Sequence, residues 1–251
     1  MSPICIVGAG PGALDLMTIR AFERLKKAEV LIWADSLIPK QIAALAPKSC
    51  ERISTSTLTL EEIVTLLINR HRQGKRIVRL HDGDPCLYGA LSEQICWLAE
   101  SGIEVEVIPG LSAYQVTAAT LKAELTIPNE TQTIIISRAG GRTGIPERER
   151  LENLASIGAS LCLYLSARHV QEVEKTLLDY YPPDTPVAIG FRVSWDDQWL
   201  KTVPLNKMAA TSIERGLIRT TLYVISPALK KTKNRSKLYT PSHSHMFRKS
   251  V

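Results

Sequence analysis

The chain has 251 residues, of which 45% are hydrophobic and 22% charged, with 31 Lys and Arg against 25 Asp and Glu. This is ordinary globular composition, which excludes a disordered or low-complexity chain, and the length suits one large domain or two smaller ones that each bury a core. The longest apolar runs, EVLIWA and TIIIS, fall far short of the roughly 20 residues that cross a bilayer, so no transmembrane helix is expected, nor a signal peptide at MSPICIVGAGPG.

Strand-like and helix-like runs alternate from the start. ICIV is followed by a glycine-rich stretch, GAGPGALDL, and then by TIRAFERLKKA with helical spacing; EVLIWA leads to KQIAALA. In LTLEEIVTLLINRHRQGK, Thr59 and Glu62 stand at capping-box spacing and Gly74 is placed as a stop. RIVRL leads through HDGDPCLYGA to LSEQICWLAESG, where Leu91, Ile95 and Leu98 share a face and Gly102 ends the helix. EVEVI leads through PGL to SAYQVTAATL, with Ser112 as N-cap. This alternation predicts an α/β unit, a mostly parallel sheet covered by helices, over residues 1–121. AELTIPNETQ breaks the rhythm and marks a hinge over 122–132. A second α/β domain over 133–251 then runs through TIIIS, RERLENLASI, SLCLYL, VQEVEKTLLDYY, PVAIGF, QWLKTV, NKMAATSIERG and TTLYVI. Two strands follow one another there without a helix, so its sheet is expected to be mixed. A ligand cleft is expected between the two domains, a common place for a small-molecule site.

Loops that follow the carboxyl ends of parallel strands open on one side of the sheet. GAGPGALDL, HDGDPCLYGA and PGLSAYQ therefore share a rim. Glycine lets backbone approach a ligand closely, and Asp82 or Asp84 can accept from an ammonium group or a ribose hydroxyl. Each loop alone reads equally as a tight connection; three together favour a ligand site. Gly8, Gly10 and Ala13 also fit a dinucleotide fingerprint, with Asp35 downstream. That fingerprint needs a helix N-terminus at its third position, so that amides meet a pyrophosphate. Pro11-Gly12 instead makes a turn, and ALDLM delays helical periodicity to about Thr18, which disfavours a nicotinamide or flavin dinucleotide.

Taken in order, VGAGPGALDLMT, RLHDGDPCLYGA, IPGLSA and SRAGGRT resemble the tetrapyrrole methylases, the class III S-adenosylmethionine-dependent methyltransferases. With LYLSA, RVSWDD, IRTTLYVISPAL and SKLYTPSHSHMFR, the resemblance runs from Ile4 to Arg248. It implies a homodimer of two-domain α/β subunits, with S-adenosyl-L-methionine as methyl donor and S-adenosyl-L-homocysteine as product. It also implies a tetrapyrrole substrate, and neither a membrane nor a nucleic-acid partner. The five scattered cysteines read separately as reduced thiols of a cytoplasmic protein. Carried over motif by motif, the donor contacts would be Pro11, Asp82, Gly83, Asp84, Leu87, Ser112 and Ala113, then Leu165, Val193 and Thr221. Cys86 stands where Ser is expected, and RTGIP lacks the Pro expected after Thr; neither is an implied donor contact.

Methyl transfer from a sulfonium to an electron-rich ring carbon needs nucleophile, methyl and sulfur nearly in line, so positioning carries most of the rate. No Ser-His-Asp or Cys-His arrangement is required and none stands out, so no catalytic residue is assigned. His81 reads as a base or as a hydrogen-bonded structural histidine. His243 and His245 lack a third ligand nearby, and Cys5, Cys50, Cys86, Cys96 and Cys162 lack C-x-x-C spacing, so no metal site is expected. The carboxylates of a tetrapyrrole would be met by arginines. Arg138 and Arg142 flank AGG at a strand end and are the substrate-binding candidates, whereas Arg148 and Arg150, set among Glu147 and Glu149, read as solvated charges. Trp33, Trp97, Trp195 and Trp199 read as core, with Trp195 also placed to line a pocket. Beyond Pro227 stand seven bases and no acids, which leaves 24 bases against 25 acids in the body. The basic tail from 230 reads as solvated; binding of a polyanion keeps a nucleotide or nucleic-acid binding module as a rival reading.

Overall fold

In the computed structural model the apolar runs of the first half form five short parallel strands. These are β1 (Ile4–Gly8), β2 (Val30–Trp33), β3 (Glu51–Ser54), β4 (Ile77–His81) and β5 (Val105–Ile108), in the order β3-β2-β4-β1-β5. The structure describes residues 1–140, 144–230, 234, 236, 239–244 and 246–249. Arg142, His245 and the tail residues Lys231, Lys233, Arg235 and Lys237 lie outside the described residues.

Helices cover both faces of this sheet, which is why β1, β2 and β4 are buried along their whole length. Cys5 and Val7, Leu31 and Trp33, and Val78 and Leu80 pack against α1 (Ile19–Lys26) and α2 (Lys40–Ala43). Ile4, Val30, Ile32 and Ile77 pack on the other side, against α3 (Leu60–Arg72) and α4 (Leu91–Glu100). Alternation along β4 therefore puts Arg79 and His81 on the α3/α4 side. Each fully buried aliphatic side chain contributes about 1.5–3 kcal/mol. The Thr59–Glu62 capping box forms at the start of α3, and Gly74 adopts φ +72° at its end.

Contacts divide the chain into two units, Met1–Val116 with Arg192–Gln198, and Thr117–Phe191 with Trp199–Val251. The division falls within α5 (Ala113–Leu121). In the second unit the strands are β6 (Ile134–Arg138), β7 (Ser160–Tyr164), β8 (Pro186–Phe191), β9 (Trp199–Pro204) and β10 (Thr221–Ile225). Their order is β6-β7-β10-β8-β9; β6 and β7 are parallel, and the other neighbours antiparallel, so the sheet is mixed. Leu161, Leu163, Val187, Ile189, Tyr223 and Ile225 form one core with α6 (Leu151–Ala155), α7 (Val170–Leu178) and α8 (Met208–Glu214). Among the described residues no helix is long and apolar enough to cross a membrane.

Candidate functional site

The three loops after β1, β4 and β5 meet backbone to backbone. Gly10 and Gly83 exchange hydrogen bonds, Gly10 N–H to Gly83 O at 3.2 Å and Gly83 N–H to Gly10 O at 2.9 Å. A Cβ on Gly8 would lie 2.6 Å from Gly110 N and 2.7 Å from Gly83 O, and one on Gly110 would lie 2.1 Å from Gly83 O. No side chain fits in those gaps, so glycine is required at this junction by space. The connections from β1 and β4 lead to helices on opposite faces of the sheet, and such a reversal opens a crevice at the carboxyl ends of the strands. The first helix begins only at Ile19, with Thr18 Oγ1 accepting from Ala21 N–H. A long loop therefore separates β1 from its helix, as the sequence predicts.

The two acids of the DGD turn do different work. Asp84 accepts from Cys86 N–H at 2.7 Å and from Gly110 N–H at 3.0 Å, so it shapes its own turn and pins the β5 loop to it. Asp82 is an exposed residue, although protein atoms crowd around its carboxylate. That crowding raises its proton affinity above the ordinary aspartate value, opposed by its own backbone amide and by Arg79. Asp82 is thus the acid of this turn that stands open to a ligand. Cys86 is exposed, and partial burial followed by the neighbouring Asp84 pushes its thiol up, away from nucleophilic thiolate character.

Beneath the loop lies a buried polar group of Arg79, His81 and Gln94. Gln94 Nε2 donates to Gly89 O at 3.1 Å and Ala90 O at 3.0 Å, and its Oε1 accepts from Arg79 Nε at 3.3 Å. This holds the end of the loop, where Tyr88 (φ 57°) and Ala90 (φ 48°) adopt left-handed conformations that non-glycine residues rarely take. Burial pushes the Arg79 guanidinium down to about 10, with Asp82 opposing. Burial, then the charge of Arg79, push His81 down to about 3. His81 is therefore neutral near pH 7 and too weak a base to take a proton. Its Nε2 is buried without a hydrogen-bond partner among the described residues.

The RVSWDDQ segment joins β8 to β9 in the chain but packs with the first unit. Ser194 Oγ accepts from Ala13 N–H at 3.0 Å, and Trp195 Nε1–H donates to Pro11 O at 2.9 Å. Sequence reasoning grouped this motif with the second domain and missed its packing on the first glycine loop. The bulk of Trp195 and the smallness of Gly12 were the available signals, and nothing local connects residues so far apart.

In the second unit a set of candidates converges on one edge of the sheet. Arg138 pairs with Tyr164 across β6 and β7, and Phe191 with Thr221 across β8 and β10. Leu165 follows β7 directly, with φ 53° and an exposed side chain. Ser166 Oγ accepts from Ala139 N–H at 2.9 Å, tying the SRAGGRT loop to the LYLSA loop. Arg138 donates to Gly144 O at 2.6 Å and Gly140 O at 3.4 Å, so its guanidinium braces its own loop. Thr220, just before the buried Thr221, has φ 53°. Strained non-glycine residues thus fall at or beside Leu87, Leu165, Val193 and Thr221, and such strain clusters where ligands bind.

Within the first unit, Gly83, Asp84 and Ser112 are drawn to the glycine junction, and a Cβ on Gly83 would lie 3.9 Å from Ser112 Cα. Asp82 flanks Gly83; Ala113 opens α5 next to Ser112, whose N–H is capped by Gln115 Oε1 at 2.8 Å. Pro11 follows Gly10, Leu87 N–H bonds Asp84 O at 3.1 Å, and Val193 is buried in the bracketing segment. Asp35 is engaged by the Ser56 amide and hydroxyl at 3.0 and 2.9 Å, which ties the ends of β2 and β3 together. A separate groove of about 540 Å³, lined by Pro3, Ile95, Ala99 and Gly102 to Val105, lies at the opposite end of the strands.

Comparison with known proteins bears on this arrangement. The profile of the Tetrapyrrole (Corrin/Porphyrin) Methylases matches residues 3–209. The chain is 39% identical over 249 residues to the cobalt-precorrin-4 C(11)-methyltransferase of Methanocaldococcus jannaschii, covering 98% of this chain and 96% of that one. It is 37% identical to the precorrin-4 C(11)-methyltransferase of Pseudomonas aeruginosa, with 98% of each covered. Among solved structures it is similar to a cobalt precorrin-4 methyltransferase, with a TM-score of 0.88, 35% identity and coverage of 91% and 96%. A uroporphyrin-III C-methyltransferase from Thermus thermophilus, solved with S-adenosyl homocysteine, matches with a TM-score of 0.76, 26% identity and coverage of 91% and 99%.

Proposed function

The chain belongs to the tetrapyrrole methylases, and on that premise we propose that it transfers the methyl group of S-adenosyl-L-methionine to C-11 of precorrin-4 or cobalt-precorrin-4 in cobalamin biosynthesis. The product is precorrin-5 or its cobalt-bearing counterpart. The observation that carries this reading is the near full-length similarity, at 37–39% identity, to proteins named for that reaction. The cytoplasm and a homodimer are proposed with it, as are functional domains at 1–121 and 133–251 around a hinge at 122–132.

For the donor we propose contacts at Pro11, Asp82, Gly83, Asp84, Leu87, Ser112, Ala113, Leu165, Val193 and Thr221. When bound, the sulfonium supplies an electrophilic methyl group. The chain's part is to hold the donor so that the substrate carbon lies in line with the carbon–sulfur bond that breaks. The glycine junction suits this task because its three loops are packed with no room for a side chain between them. Asp82 offers a carboxylate to donor hydroxyl or ammonium groups, and Asp84 holds the turn that presents it. Arg138 and Arg142 are proposed to meet the carboxylates of the tetrapyrrole. The test is titration with S-adenosylhomocysteine by calorimetry, followed by methyl transfer to precorrin-4. Stoichiometric binding and a methylated product support the reading; donor-independent binding to RNA with no transfer would replace it.

A further inference from the structure

We propose that Ser194 and Trp195 are positioning residues for the methyl donor, forming a bracket that fixes the first glycine loop in its receptive shape. The proposal rests on the donor reading above. Several backbone groups of residues 9–17 have identified partners. Ala9 N–H reaches His81 O at 2.7 Å, Gly10 bridges to Gly83, and Leu16 and Met17 close a single turn onto Ala13 and Leu14. Between those two ends, the groups flanking Gly12 are held from outside the loop, Pro11 O by Trp195 and Ala13 N–H by Ser194. The indole also fills the space beside Gly12: a Cβ there would lie 2.3 Å from its Cδ1.

The bracket is itself locked. Trp195 N–H donates to Arg192 O at 2.9 Å, Ser194 N–H to Gln198 Oε1 at 2.7 Å, and Gln198 N–H to Trp195 O at 3.0 Å. Arg192 pairs with Asp197 at 2.5 Å and lies 4.9 Å from the centre of the Trp195 ring. Arg192 (φ 45°) and Ser194 (φ 69°) hold left-handed conformations, which persist in non-glycine residues only where the surroundings impose them. Trp195 is partly exposed, and its polar atom is spent on a loop carbonyl.

The test measures hydrogen exchange at residues 9–17, S-adenosylhomocysteine affinity, methyl transfer and thermal unfolding in Trp195→Ala, Trp195→Phe and Ser194→Ala. Trp195→Ala loses both the bond to Pro11 and the ring beside Gly12; it is expected to weaken donor affinity more than Trp195→Phe does, and to slow methyl transfer roughly 100-fold, on the scale of an ångström-sized misplacement. Trp195→Phe keeps a ring against Gly12 but loses the bond to Pro11, and should weaken donor affinity roughly tenfold. Exchange at residues 9–17 should quicken in all three, with little change in melting temperature. Unchanged exchange and affinity in Trp195→Ala would overturn the proposal, as would a lowered melting temperature with affinity intact. Should Trp195→Ala fail to fold, Trp195→Phe and Ser194→Ala decide the matter by the same readings. If the unmodified protein binds no S-adenosylhomocysteine, the donor reading fails, while exchange at residues 9–17 still decides whether the bracket exists.

Discussion

At the rim of the first sheet, three loops are packed backbone against backbone at glycines; at the corresponding end of the second, Leu165 and Thr220 carry side chains on left-handed backbone. Gly8, Gly83 and Gly110 meet with no room for a methyl group. Leu165 and Thr220 carry full side chains at positive φ, and a Cβ on Gly140 in the Arg138 loop would meet nothing within 4 Å among the described residues. The difference teaches what a substitution should do in each place. Gly8 and Gly110 therefore cannot take a side chain without moving the backbone they meet, whereas Gly140 can.

Glycine substitution breaks that comparison most directly. Gly110→Ala forces a methyl group to within 2.1 Å of Gly83 O, and should cost about 3 kcal/mol by overpacking and abolish donor binding. Gly140→Ala meets nothing within 4 Å among the described residues and should stay within about 0.5 kcal/mol. Urea denaturation of the two variants measures the contrast, and equal losses would remove the distinction. The two acids sharpen it further. Asp84→Ala removes two backbone hydrogen bonds, so stability and donor affinity should fall together, each by about 1.5–3 kcal/mol. Asp82→Asn should weaken donor affinity while the unfolding midpoint stays in place; a shifted midpoint with intact affinity would make Asp82 structural.

Acid stability probes the buried group under the first rim. His81 has a folded value near 3 against an ordinary 6.5, so below pH 6.5 the unfolded chain takes up a proton that the folded chain refuses. Stability is therefore fully present above pH 6.5 and falls as the pH drops toward 3, with a slope approaching about 1.4 kcal/mol per pH unit. His81→Gln should flatten that part of the profile. A wild-type slope retained in His81→Gln would assign the acid sensitivity to other groups. The smallest effect is expected at the second edge. Arg138→Ala loses the bond to Gly144 O, about 1 kcal/mol of loop stability, and should raise the tetrapyrrole KM severalfold without moving donor affinity. An unchanged KM would confine Arg138 to bracing its loop.

Much of this was legible in the sequence, for reasons that are local. Strand and helix period, the Thr59 cap, the late helix start at Thr18 and the shared rim of three loops all follow from neighbouring residues. The strand Glu51–Ser54 was not, because it is short, polar and largely exposed at a sheet edge, where no apolar pattern is needed. Nor could the sequence separate Asp82 from Asp84, since the difference lies in which amides the fold brings to each carboxylate. Trp195 was legible only as an aromatic, because its partners Pro11 and Gly12 come to it through the fold. The left-handed backbone at Leu165, Arg192 and Ser194 carries no residue signal at all, since nothing in those side chains favours it.

Isotope placement reads the position of methyl transfer on the macrocycle. The protein would be incubated with precorrin-4 and S-adenosylmethionine labelled with carbon-13 in the methyl group, and the product examined by carbon NMR, with the cobalt-bearing substrate in parallel. One labelled methyl group per macrocycle, bonded to C-11, is expected from at least one of the two substrates. Label at another ring carbon, or its absence from both substrates under conditions where the protein binds S-adenosylhomocysteine, would contradict it.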